Sequence, residues 1–185
     1  MSIGYEQWHD GVGYDLEAID QMSPAEKEAA EGKLIPRAEN DWRDLEALDR
    51  LGTPRAVAAI IGARRSSNHE IKLLAHQYGP APTPHEWEQA ILTSLAVAEI
   101  YAGLSNVLGC AVDHPSPAVV EMLWGKVRDP ESGIAYHCAA ALCCIAGVVE
   151  SMHDDQYRDL FLRLVAKGSE DRTRAVGELE ALLRK

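Results

Sequence analysis

The segment TPRAVAAIIGARRSSNHEIKLLA at 53–75 returns 63 residues later as SPAVVEMLWGKVRDPESGIAYHCA. Under that shift Pro54 meets Pro117, Val57 meets Val120, Ile60 meets Leu123, Ile71 meets Ile134 and Ala75 meets Cys138. Each copy holds a helix start, an apolar run, a break and a second apolar run. Between them, TPHEWEQAILTSLAVAEIYAGLSNVLGCAV supplies one more such pair, so the shift of 63 is two units of roughly 30 residues. A single helix hairpin has nowhere to bury its apolar face. A chain that repeats itself in this way must therefore stack its hairpins on one another.

The helix boundaries are legible from the cap residues. SPAE at 23–26 and TPHE at 83–86 are capping boxes, with Ser23 or Thr83 accepting from the backbone and Glu26 or Glu86 reaching back. Thr53-Pro54 and Ser116-Pro117 carry the cap and the proline without the glutamate. Gly52, Gly79, Gly147 and Gly168 each follow an apolar periodic run and mark ends. These signals predict helices over 14–21, 24–35, 41–51, 54–65, 69–78, 84–99, 103–113, 117–127, 131–146, 155–166 and 170–184. No segment alternates with period two, so no strand is expected. Abundant Ala and Leu with a single Phe agree with close-packed helices.

The paired segments resemble HEAT-type repeats: a helix of the form P-x-A-V-x-x-L, a tight turn, and a second helix of the form V-R-x-x-A-A-x-A-L-G. The turn and second helix stand here as DPESGIAYHCAAALCCIAG and SNHEIKLLAHQYG. The usual arginine of the second helix is absent, with Lys72 and Ala135 near its place. EDRTRAVGELEALLR has the form of a last second helix, so the resemblance covers about 51–185. It implies an all-α protein, an α-solenoid of stacked antiparallel helix pairs with about 10–11 helices and no sheet. Residues 1–51 then form an N-terminal helical cap and 52–185 the repeats, in one continuous array. The leading stretch, with YDLEAI and DWRDLEAL, also resembles the N-terminal part of uncharacterised bacterial HEAT-like proteins.

Charge narrows the partners. The formal net charge is −11, which repels phosphate and disfavours direct nucleic-acid binding. Residues 1–51 alone hold thirteen acidic against five basic residues, a balance of −8. The plainer reading is solvated helix faces and carboxylates that favour helix amino ends. The sharper one is an acidic surface for a basic protein, with Asp15, Glu17, Asp20, Asp41 and Asp44 among its members. Arg55, Arg64 and Arg65 make only a small basic spot. Cys110, Cys138, Cys143 and Cys144 sit in apolar runs with no CxxC, which reads as buried thiols in a reducing, cytoplasmic setting. The opening MSIGYEQWHD has neither a basic nor an apolar targeting region, and no run is long enough to span a membrane.

The residues that suggest chemistry are few. His69-Glu70 in NHEIKLLA looks like a His-Glu motif of deoxyhypusine hydroxylase, a HEAT-like enzyme that binds two irons. That enzyme needs several such pairs on equivalent helices. Here Glu86 of His85-Glu86 belongs to a capping box, and Ser132-Gly133 occupies the equivalent place in the later repeat. No metal and no cofactor are therefore expected. His137-Cys138 lies in an apolar, alanine-rich run and reads as core. Trp124 is expected in the core and Trp42 as a seal near its helix start. Trp87 is expected half-exposed, and Trp8, in a polar lead-in, as a partner contact. No phosphate loop, GxSxG, HExxH or dinucleotide fingerprint is present.

The expectation is a non-catalytic protein-binding module, most specifically a bacterial immunity protein that binds and inhibits a basic toxin or effector. Its partner-binding residues are Trp8, Asp15, Glu17, Asp20, Asp41, Asp44, His69, Glu70 and Trp87. Two alternatives stay open: a scaffold or adaptor in a larger assembly, and a HEAT-like enzyme or small-ligand-binding protein.

Overall fold

The computed structural model describes residues 13–100, 103–166 and 170–184. Among them the regular structure is helical. The helices are α1 (Leu16–Gln21), α2 (Pro24–Leu34), α3 (Trp42–Leu51), α4 (Pro54–Ala63), α5 (His69–Leu74), α6 (Pro84–Val97), α7 (Leu104–Asp113), α8 (Pro117–Arg128), α9 (Ala135–Ile145), α10 (Arg158–Leu164) and α11 (Glu170–Leu183). Short 3₁₀ turns follow α2 and precede α10. The described residues contain no strand, only an isolated bridge between Glu99 and Gly103. No described helix is long and apolar enough to cross a membrane.

The amino-terminal caps form as the sequence predicts, while Gly79 lies beyond the end of α5, whose carboxyl cap is Ala75. Both capping boxes are closed, with Glu26 Oε2 accepting from Ser23 N at 2.8 Å and Glu86 Oε2 from Thr83 N at 2.7 Å. Thr53 and Ser116 accept from Ala56 N and Val119 N, each just ahead of its proline. Gly52 (φ 63°) and Gly147 (φ 70°) take the left-handed conformation at helix ends, where a Cβ is strained. Gly168 lies outside the described residues.

Several boundaries differ from expectation by two residues or more, and three of them have a visible cause or consequence. α5 stops at Leu74 rather than 78, and the chain turns through 75–77. Arg64 gathers the carbonyls beyond it, donating to Ala75 O at 3.1 Å, Tyr78 O at 2.9 Å and Pro80 O at 2.5 Å. α9 starts at Ala135 rather than 131, because Asp129 holds a turn: its Oδ1 accepts from Glu131 N at 2.9 Å and its carbonyl from Ser132 N at 3.1 Å. α6 ends at Val97, and Ala98 is extended (ψ 134°).

The chain divides into two compact units, Met1–Pro82 and Thr83–Lys185. In the first, α1, α2 and α4 all pack on α3. Its core joins Ile19, Leu34, Leu45, Leu48, Ala56, Ile60 and Ile71, with Trp42 packed against it from the side. In the second, α6 packs on α7 and α8, and α9 touches α7, α8, α10 and α11. Ala135, Cys138, Ala139, Ala140, Ala141, Leu142 and Cys143 of α9 are all buried; such small side chains let several helices approach one axis. Several apolar positions matched by the 63-residue shift share their burial, while others, such as Ser66 (buried) and Asp129 (exposed), do not. Ile60 and Leu123 are both 0 % exposed, as are Ala75 and Cys138, while Ile71 and Ile134 are both buried.

Candidate functional site

The carboxylates of the first unit are largely committed to its own structure. Asp15 is exposed but caps α1, accepting from Ala18 N at 3.1 Å. Asp20 takes the Arg50 guanidinium on both oxygens, with Nε to Oδ1 at 2.8 Å, which holds its carboxyl below the usual range. Asp41 caps α3 through Arg43 N at 3.0 Å and pairs with the Arg43 guanidinium at 3.3 Å. Glu31 is buried against the Thr53 hydroxyl and pairs with Arg55 at 3.2 Å. Asp49 accepts from Gly79 N at 2.8 Å. Glu17 is exposed.

Asp44 does not lie on an acidic surface. It is 0 % exposed, accepts from Tyr14 Oη at 2.9 Å and pairs with Arg37 Nε at 3.1 Å. Burial raises its carboxyl above the ordinary range, against the lowering effects of Tyr14 and Arg37. It faces inward, where Tyr14 and Arg37 meet its carboxylate. The small basic spot also dissolves, since Arg55 pairs with Glu31 and Arg64 binds the carbonyls just beyond α5.

The tryptophans depart from expectation at two positions. Trp87 is buried rather than half-exposed, because its ring stacks on His114 with centroids 4.2 Å apart. Trp124 is half-buried rather than core, and the Arg128 guanidinium lies over its ring at 5.0 Å. Trp8 lies outside the described residues. His69 is half-buried and Glu70 exposed in the first turn of α5, while His85 is exposed at the start of α6. No group of three or more His, Cys, Asp or Glu among the described residues is placed to hold a metal ion.

Two concave features with mixed chemistry lie in the second unit. One cleft, of about 690 Å³, runs between the carboxyl end of α6 (Ala96–Ile100) and the turn from α8 to α9 (Lys126, Asp129, Glu131–Ile134). Val97 and Ile100 are 52 % and 48 % exposed there, beside the carboxylates of Glu99, Asp129 and Glu131. Lys126, the one cation of its lining, donates from Nζ to Ala96 O at 3.3 Å. A second cavity, of about 310 Å³, is lined by Ile100, Leu104, Ser105, Leu108, Tyr136, His137, Ala140, Met152, His153 and Asp155. Burial, helped by the charge of His153, lowers the His137 pKa and favours its neutral form.

Sequence reasoning missed both clefts. It continued α6 to 99 and gave Val97 no role. The weak signal available was the run AVAEIYAG, in which apolar residues continue past the helical period into a glycine. Three of the four thiols fit the reading as buried, and Cys144 departs from it. Cys110, Cys138 and Cys143 are buried and Cys144 is half-buried. Burial pushes Cys138 up to about 12 and Cys143 up to about 11, far from a reactive thiolate. No protein-family model matches the chain, and neither a curated protein nor a solved structure matches it.

Proposed function

We propose that this chain is a non-catalytic protein-binding module of HEAT-like build whose partner is a basic protein. In its most specific form the reading is a cytoplasmic immunity protein that binds and inhibits a basic toxin or effector. The observation that carries it is the packing within Thr83–Lys185. There α6 meets α7 and α8 meets α9 as consecutive pairs, while α6 also meets α8 and α7 also meets α9. First helix beside first and second beside second is the neighbour pattern of stacked helix pairs, which present long preformed surfaces to other proteins. The net charge of −11 adds the preference for a basic partner. A scaffold or adaptor role uses the same surface with a different partner.

The test is affinity capture from the native host, followed by association kinetics at low and high salt. The expected partner is basic, and its association slows as salt rises, because steering between exposed charges is screened. An acidic partner, or a rate indifferent to salt, overturns the reading.

The cavity lined by His137, His153 and Asp155 favours a second reading, binding of a small polar ligand. A compound from a metabolite panel that raises the melting temperature of the wild type but not of His137→Ala supports it. A panel with no such compound removes it.

A further inference from the structure

We propose that the cleft between the end of α6 and the α8–α9 turn receives a short segment of the partner, carrying an apolar side chain flanked by lysine or arginine. This rests on the protein-binding reading above and assigns its contact to a place other than the acidic helices near the amino terminus. Three observations on the cleft agree. Val97 and Ile100 are two of the five large apolar residues exposed among the described residues, and both line it. Apolar groups left in water beside a concave wall gain by being covered. Next, Glu99, Asp129 and Glu131 are exposed around these two side chains. The carboxyl ends of α6 and α8 also reach the cleft, and helix carboxyl ends carry partial negative charge. Finally, Lys126, which donates to Ala96 O, brings one positive charge against three carboxylates, so the lining keeps a net negative charge. The volume of about 690 Å³ holds a few side chains rather than a folded element.

The charge complementarity selects the occupant. An acidic or neutral apolar segment covers Val97 and Ile100 equally well but leaves the net negative charge of the lining uncompensated. A purely basic segment leaves the two apolar side chains wet. Only the combined chemistry satisfies both.

The probes are three capped pentapeptides, RLKLR, RSKSR and ELELE, titrated into the full chain and followed by amide chemical shifts. The expected result is saturable binding of RLKLR, with perturbations centred on 96–100 and 126–134. RSKSR should bind more weakly and ELELE not at all. Replacing Glu99→Lys together with Glu131→Lys should weaken RLKLR by about tenfold or more, since like charges now face each other. Both positions are exposed, so the variant should keep the wild-type helical circular dichroism and melting temperature. Glu99→Gln with Glu131→Gln should give an intermediate affinity. The proposal is overturned if RLKLR does not bind, if RSKSR binds as tightly, or if the perturbations centre on the acids of 15–49. It also falls if a captured basic partner binds the double charge reversal as tightly as the wild type; in that case protein binding stands and only this cleft is excluded.

Discussion

The two units solve the burial problem with opposite materials. The first unit, Met1–Pro82, turns polar groups inward: Asp44, Glu31 and Arg43 are buried there beside Leu45 and Leu48. The second, Thr83–Lys185, fills the centre of α9 with alanine and cysteine and leaves carboxylates and apolar side chains outside, at the cleft beside Val97. The acidic balance of residues 1–51 thus overstates their free surface charge. A carboxylate that caps a helix or holds a guanidinium has its lone pairs in use, whereas Glu99 and Glu131 of the second unit are exposed in a concavity. Counting charges in a sequence does not locate a docking surface; the hydrogen-bond partners of each charge do.

The largest expected effects test whether the two units share a repeat. Ile60→Ala and Leu123→Ala, at fully buried matched positions, should each lose about 2–5 kcal/mol in urea unfolding. A loss below about 1 kcal/mol at either position, outside the range for a well-packed core site, breaks the correspondence.

Next in size is the inward charge of the first unit. Asp44→Ala should cost about 1–3 kcal/mol, because Tyr14 Oη and the Arg37 guanidinium lose their buried acceptor. Glu99→Ala in the second unit should stay within about 0.5 kcal/mol. The pH response separates inward from outward carboxylates by sign. The folded-state pKa of Asp44 is raised, so its contribution is full below the unfolded carboxyl value and is lost as pH rises through the folded one. Asp20 and Glu178 are lowered by Arg50 and Arg163, so their contributions are present above the unfolded value and fade on acidification. Unfolding titrations from pH 3 to 7 should therefore show Glu178→Gln losing less stability than the wild type at the acid end. Equal acid loss in both proteins sinks the assignment.

Glycine substitutions give smaller effects of opposite direction. Gly79 has φ 73°, and an added Cβ meets Ile60 Cγ2 at 3.3 Å, so Gly79→Ala should destabilise by about 1–2 kcal/mol. Gly62 and Gly125 are matched by the 63-residue shift, lie in helices and have nothing within 4 Å of an added Cβ. Gly62→Ala and Gly125→Ala should each stabilise by about 0.5–1 kcal/mol. A loss at either position breaks the parallel. The smallest effect is kinetic. A thiol reagent should label Cys144 first, and Cys138 and Cys143 only slowly until denaturant is added. Rapid native labelling of Cys138 contradicts the buried α9 centre.

The sequence by itself determined the local structure of this protein. Ser23, Thr53, Thr83 and Ser116 start helices through hydrogen bonds that reach only three residues, so the information is contained in the segment. Gly52 and Gly147 mark ends for the same reason, since a positive φ is a property of one residue. Helix faces were also legible, because the 3.6-residue period puts Ile60 and Leu123 inward whatever they pack against. Tertiary structure decided what each polar or aromatic side chain meets. Asp44 became a buried partner of Tyr14 thirty residues away, and Trp87 found His114. Arg64 was drawn to the carbonyls that end α5. The cleft at Val97 depends on where α6 stops relative to the α8–α9 turn. Contacts between distant segments are set by helix packing geometry, and neither periodicity nor cap signals encode which residue arrives opposite which.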